Sequence, residues 1–445
     1  MTGASRAASP RDQPRPVSFL MLGALYFGKQ LRVFAGRLAH VLDDLQPVVH
    51  LGCQLGIVAR ELLERVVDHR ERRRVGRVEV GVVRERRADL CVEYVIYEPV
   101  GVVAAIKPWN YPLELPIWAL AAALIAGNTV VFKPSEHSSF VGLEIGKLFE
   151  EAGLPPGVLN ILTGDGEVGK MLVRHEGIDM VTFTGSVSVG REIAEQCGKR
   201  LIKCSLELGG NDPAIVEPDV DLELAANGLV WGAFCNSGQV CVSANRVFVS
   251  QKIAEDLTKR IVQKTKALRV TTDFGPIVSA EQLVTIEEQV KDAVSKGATV
   301  LVGGQRLEHD GGFFYAPTVL TNVSSSMRLM TEECFGPILP IITVSNTKEA
   351  VELANLSTYG LGASVWTSDL VKGREIADKI ESGMVWINDV NVAFPETPWG
   401  GIKCSGGGTD LSDWGLYEYV HRKHINVETS ASTRRDWWYP YPESS

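Results

Sequence analysis

From residue 93 onward, short apolar runs alternate with stretches whose apolar positions recur at helical spacing. VIYEPVGVVAAI (95–106) and TVVFK (129–133) are rich in β-branched residues and predict strands; the Ala-rich run between them predicts a helix over 116–126. A helix over 139–152, a strand over 158–162, a helix over 166–175 and a strand over 179–183 follow, the last opening into GSVSVGREIAEQCG. This alternation predicts a parallel sheet covered on both faces. A second series between 213 and 410 (PAIVEP, RVFVS, ATVLVGG, FYAPTVLTNV, PILPIITV, GASVWT and GMVWIND) predicts a second α/β lobe. IWALAAALIAG (117–127) is too short to span a bilayer and reads as a buried helix. SFLMLGALYFG (18–28) is short and lacks a small-residue cleavage pattern, which argues against a signal peptide. There is no short repeat and no low-complexity segment.

Composition sharpens this picture. A chain of 445 residues exceeds one ordinary core, so two or three packed lobes are expected. With 45% hydrophobic and 22% charged residues it reads as soluble and globular, and its net charge of −9 argues against a nucleic-acid binder. Eight cysteines without paired spacing predict a reducing compartment, the cytoplasm, with neither a disulfide framework nor a metal site. Charge also divides the chain near residue 92: the part before carries a net +6, the part after −15. Most of the excess lies in RERRRVGRVEVGVVRERRADLCV (70–92), read either as a solvated basic face or as a segment of different origin, such as a misread frame or an unusual splice.

Six stretches carry candidate chemistry. Gly164–Gly169 matches G-x-G-x-x-G between a strand and a helix, including Gly166, but no acidic residue ends a strand about twenty positions on, where a ribose hydroxyl needs one. In FTGSVSVGR (183–191) a strand stops at Gly185-Ser186 where a helix begins, a start suited to an anion or simply capped by serine. KPWNYP (107–112) holds Asn110 between two prolines, as a fixed oxyanion donor would be held. LELGG (206–210) places Glu207 among apolar residues, where burial raises a carboxyl toward a useful base. EECFGP (332–337) joins two carboxylates to Phe335. In FCNSGQVCVSANR (234–246), Cys241 lies among small and polar residues; a reactive thiol sits partly open near groups that favour its thiolate, a structural one among aliphatic neighbours.

Taken in order, KPWNYP, KPSE, FTGSVSVG, LELGG, FCNSGQVC, EECFGP and PWGGIKCSG resemble the aldehyde dehydrogenase superfamily over about residues 93–425. The resemblance implies an α/β fold: a Rossmann-type parallel-sheet cofactor lobe, an α/β catalytic lobe and small oligomerisation strands. It implies residues 1–81 as an atypical N-terminal segment, 82–99 as oligomerisation strands, 100–208 as the NAD-binding domain, 209–421 as the catalytic domain and 422–445 as a C-terminal oligomerisation strand and tail. By the same resemblance Cys241 is the nucleophile, Glu207 the general base, and Asn110, with the Cys241 N–H, the oxyanion hole; Cys235 is a pocket wall. Lys133, Ser135 and Glu136 of KPSE fall in the cofactor site, Lys133 and Glu136 on the adenosine ribose. Gly166 lies near the adenine, Gly185 and Ser186 at the pyrophosphate, Glu333 at the nicotinamide ribose and Phe335 by the nicotinamide, with Trp109 also in the cofactor site. Glu136 favours NAD, with NADP also admitted.

The implied reaction is oxidation of an aldehyde to a carboxylic acid through a cysteine thiohemiacetal and thioester, in a homodimer or homotetramer, with neither a nucleic-acid nor a membrane partner. Tyr111, Trp118 and Phe394 suggest an apolar or aromatic aldehyde, Glu114 a polar or cationic one, and both stay open. Three departures stand out: the Arg-rich first 92 residues, a shortened loop in ALRVTTDFGP (267–276), and SGGGTD (405–410) in place of the usual Arg-Glu pair, which predicts a loosened hinge. Two other readings stand beside this one: a Cys241-dependent esterase with impaired NAD binding, and a non-catalytic structural or partner-binding member of the family.

Overall fold

The computed structural model describes residues 91–428 with Trp438, Tyr439 and Tyr441. The expectations for 1–81, for 82–90 and for most of the tail lie outside the described residues.

The apolar run 95–106 yields two strands, β1 (Cys91–Pro99) and β2 (Val102–Lys107), not the one its composition predicts. Proline lacks a ladder N–H and Gly101 turns at φ 125°, so the halves join different sheets. Then come α1 (Glu114–Ile125), β3 (Thr129–Pro134), α2 (Ser139–Glu151), β4 (Leu159–Ile161), α3 (Gly166–Arg174), β5 (Met180–Thr184), α4 (Val187–Arg200) and β6 (Lys203–Glu207). The sheet is parallel, in the order β4-β3-β2-β5-β6. Successive β2 side chains serve opposite faces. Val103 and Ala105 pack with Ile117, Leu120 and Ile145 of α1 and α2, whereas Ala104 packs with Leu172 and Ile193 of α3 and α4. The strand order reverses between β2 and β5, which opens a crevice at their carboxyl ends.

The second lobe contains β7 (Asp212–Val216), α5 (Leu222–Phe234), β8 (Ala244–Ser250), α6 (Ala254–Lys266), α7 (Ala280–Ser295) and β9 (Thr299–Val302). A small pair, β10 (Arg306–Leu307) with β11 (Phe314–Tyr315), precedes β12 (Thr318–Thr321), β13 (Ile338–Val344), α8 (Thr347–Asn355), β14 (Ser364–Trp366), α9 (Leu370–Ala377) and β15 (Trp386–Ile387). FYAPTVLTNV is again two strands, interrupted by Pro317. The order is β15-β14-β7-β8-β13-β12-β9, with only β9 antiparallel to its neighbour. After α10 (Ser412–Glu418), β16 (Val420–Glu428) returns antiparallel to β1, two residues earlier than the sequence predicts, and after Val420 this ribbon strand is exposed.

Candidate active site

The turn after α5 is why a glycine precedes the cysteine of GQVC. Asn236, Ser237 and Gly238 take φ of 48°, 57° and 71°, and a Cβ on Gly238 would lie 2.1 Å from the Gly336 carbonyl oxygen. Gln239 fixes the turn: its Nε2 donates to the Pro276 carbonyl (3.2 Å) and its Oε1 accepts from the Val278 N–H (2.9 Å). The buried Asn110 Nδ2 donates to the Gln239 carbonyl at 3.3 Å, which holds the amide two residues from Cys241. Tyr111, at φ 49°, brings its hydroxyl within 3.5 Å of Cys235 Sγ.

Charge at this junction differs from the sequence expectation. Cys241 is half-buried, and the groups around it mostly oppose the thiolate: burial, then Glu333, Asp212 and Glu207, push its pKa up, against a smaller downward pull from the Val242 N–H. The resting thiol is therefore protonated, and ionisation requires a base. Glu333 Oε1 accepts from the Gly210 N–H at 3.0 Å, and burial raises this carboxyl to about 7. A Cβ on Gly209 would stand 2.1 Å from Glu333 Oε2, so LELGG needs its first glycine to admit that carboxylate.

Glu207, the last residue of β6, is buried, and neither carboxyl oxygen has a hydrogen-bond partner among the described residues. Burial and then Asp410 lift its pKa well above the carboxylate range, opposed by Lys107. Lys107 is fully buried; its Nζ donates to Thr182 Oγ1 (3.2 Å) and Thr184 Oγ1 (2.9 Å) and lies 3.7 Å from Asp410 Oδ2. Sequence reasoning missed both Lys107 and Asp410. The available signal was a lysine ending the apolar strand VVAAIK, whose charge must find partners.

SGGGTD is not a loosened hinge. Gly406 (φ 129°) and Gly408 run so close to β6 that a Cβ would meet the Leu206 carbonyl oxygen at 1.9 Å and Ser205 Oγ at 2.2 Å. The Leu208 N–H donates to the Ser405 carbonyl (2.9 Å) and the Gly407 N–H to that of Leu206 (3.1 Å). These glycines serve close approach, and the segment is clamped beside Glu207.

Across the crevice, buried Lys133 donates to the Pro134 carbonyl (3.1 Å) and lies 3.8 Å from the half-exposed Glu136 carboxylate. Ser135 Oγ accepts from the His137 N–H (3.3 Å). Asp165 caps α3, Gly166 has no atom within 4 Å of a built Cβ, and a Cβ on Gly169 would lie 3.6 Å from the Lys133 side chain. The glycine loop thus joins KPSE. Ser186 caps α4 through the Val189 N–H (3.4 Å), and the Gly185 N–H donates to the Glu207 carbonyl (3.0 Å). Trp109 meets Phe335 edge to face at 5.4 Å.

On the other side of Cys241 an apolar cluster gathers Trp118, Cys235 and Trp399, with Tyr111 and Trp386 packed against it. Trp399 lies 5.4 Å from Trp118 and 6.2 Å from Trp386. Cys235 is buried in this wall and its thiol is pushed up to about 11, first by burial. Phe394, a candidate for the same wall, is instead exposed.

The aldehyde dehydrogenase family profile matches residues 75–425. A chloroplastic aminoaldehyde dehydrogenase of Arabidopsis thaliana is 42% identical over 358 residues, 78% of this chain and 71% of that protein. Betaine aldehyde dehydrogenase of Bacillus subtilis (strain 168) is 40% identical over 345 residues, 75% of this chain and 70% of that protein. Among solved structures, Staphylococcus aureus betaine aldehyde dehydrogenase in complex with NAD+ superposes with TM-score 0.85 at 32% identity, covering 94% of this chain and 86% of that one. An NAD-dependent aldehyde dehydrogenase from Sinorhizobium meliloti gives TM-score 0.86 at 33% identity, covering 94% of this chain and 84% of that one.

Proposed function

Because this chain belongs to the aldehyde dehydrogenase family, we propose that it oxidises an aldehyde carrying an amino or ammonium group to its carboxylic acid, with NAD as hydride acceptor. The observation that carries this reading is the convergence of Asn110, the Cys241 turn and the unpartnered Glu207 carboxyl where the two sheets meet. The aromatic wall of Tyr111, Trp118, Trp386 and Trp399 supports a cationic substrate, since ring faces attract ammonium groups. Names of relatives, aminoaldehyde and betaine aldehyde dehydrogenases, support the same class.

The crevice fits a dinucleotide: the space around Gly166 is open, and Gly209 admits the Glu333 carboxylate. Lys133 and Glu136 would hold the adenosine ribose, with Ser135 beside them, and Gly185-Ser186 at the α4 start the pyrophosphate. Glu333, Phe335 and Trp109 would hold the nicotinamide end. Glu136 disfavours a 2′-phosphate, so we assign NAD before NADP. When bound, NAD would supply the hydride acceptor for oxidation of the cysteine adduct. Cys241 Sγ attacks the carbonyl carbon while Asn110 Nδ2 and the Cys241 N–H hold the oxyanion. Glu207, raised by burial, accepts the proton of the thiol, passes it to bulk water while the thioester stands, and then accepts the proton of the hydrolytic water, which it returns to the departing thiolate. Residues 100–208 then serve the cofactor, 209–421 the chemistry, and the exposed ribbon the contacts of a homodimer or homotetramer. The free thiols support a reducing compartment such as the cytoplasm.

The test is NADH formation by the full-length chain over aliphatic, aromatic and amino aldehydes. We expect turnover that is abolished in Cys241→Ala; turnover surviving that change would remove the assigned nucleophile. Tryptophan quenching by NAD, read in parallel, separates dehydrogenase from esterase, since an esterase with an impaired cofactor site shows none.

A further inference from the structure

Glu114 is a half-buried carboxyl that the reaction as assigned does not use. It opens α1, and Trp118 lies one turn later on the same helix, so the two side chains share a face. Its charge is felt by Tyr111 and by Cys235, both at the aromatic wall beside Cys241. No hydrogen bond or ion pair to it is made among the described residues, and burial alone raises it to about 7. A carboxylate partly withdrawn from water with no partner among the described residues opposes folding, and such groups are retained where a ligand supplies the missing charge. The dipole at the α1 start favours the negative charge, but an exposed carboxylate would serve that role without desolvation.

We propose that Glu114 is the specificity-determining residue of this site: its carboxylate supplies the counter-charge for an ammonium group seated on the Tyr111, Trp118 and Trp399 rings, so that cationic aldehydes are chosen over neutral ones of equal size. The rings attract an ammonium group but also welcome an alkyl chain, so they discriminate weakly between the two. A desolvated carboxylate discriminates strongly, because it gains an ion pair from one ligand and remains unpaired with the other. This inference rests on the proposed oxidation of amino aldehydes and deepens it.

The experiment compares 3-aminopropanal with butanal, which match in size, in mildly alkaline buffer where Glu114 is ionised and the amine protonated. For the wild-type chain, kcat/KM for 3-aminopropanal exceeds that for butanal by about tenfold or more. Glu114→Gln brings the ratio of the two kcat/KM values toward one, and Glu114→Asp, which keeps the charge, retains the excess. Equal losses on both substrates, or a preference undiminished in Glu114→Gln, overturn the proposal. Quenching of the pocket tryptophans by n-butylammonium, compared with 1-butanol, reads the same choice without turnover. If no aldehyde yields NADH but butylammonium binds preferentially and Glu114→Gln abolishes the preference, the proposed oxidation fails and the charge selection stands. Turnover without that preference overturns the charge selection and leaves the oxidation standing.

Discussion

The base strength of Glu207 depends on two buried neighbours of opposite sign. Asp410 raises its pKa and Lys107 lowers it, and Glu207 accepts a proton only when ionised. The acid limb of the rate–pH profile therefore marks the fraction of ionised Glu207. Lys107→Gln removes the opposing positive charge, so the limb moves to higher pH, by about one unit; Asp410→Asn moves it lower. A limb unmoved in both variants, followed by steady-state NADH formation across pH, would detach the pair from the base. Asn110→Ala removes the proposed side-chain oxyanion donor and should reduce kcat about 10²–10³-fold with little change in folding. None of this charge balance was legible in the sequence: KPWNYP and SGGGTD are more than 290 residues apart, and only packing brings Lys107 to 3.7 Å from Asp410.

At the level of elements, the helix-to-strand connection bearing Cys241 is a strained piece of backbone held by its surroundings. Three consecutive residues, Asn236 to Gly238, take positive φ, and a Cβ on the last would lie 2.1 Å from the Gly336 carbonyl oxygen. Gly238→Ala imposes a left-handed cost of about 1–2 kcal/mol and a backbone clash besides. We expect a lower Tm and, in protein that still folds, a large loss of kcat because Cys241 and the Gln239 carbonyl that holds Asn110 shift together. A variant of wild-type Tm and activity would show that the turn tolerates rebuilding. Element types read well from periodicity, including the buried α1, because β-branched runs and apolar spacing act locally. Strand breaks read poorly: Pro99 and Pro317 each divide a run that looks continuous by composition.

Across the whole molecule, the strand order of the first sheet reverses between β2 and β5, and the two lobes are joined beside Cys241 by Asn110 Nδ2 to the Gln239 carbonyl and by the Gly210 N–H to Glu333. The β1–β16 ribbon stands apart, with Ile425 and Val427 exposed. If the ribbon joins subunits, Ile425→Asp with Val427→Asp should lower the mass measured by light scattering; an unchanged oligomer would place the contact elsewhere. The sequence by itself determined the α/β alternation, the family, and the residues proposed as nucleophile, base and amide, because each is a local pattern in one short motif. Tertiary structure alone decided that the Cys241 thiol rests protonated, that the SGGG stretch is clamped, and that Glu114 meets no cation among the described residues. Burial and charge–charge distance set these properties, and neither exists until segments remote in the chain are packed together.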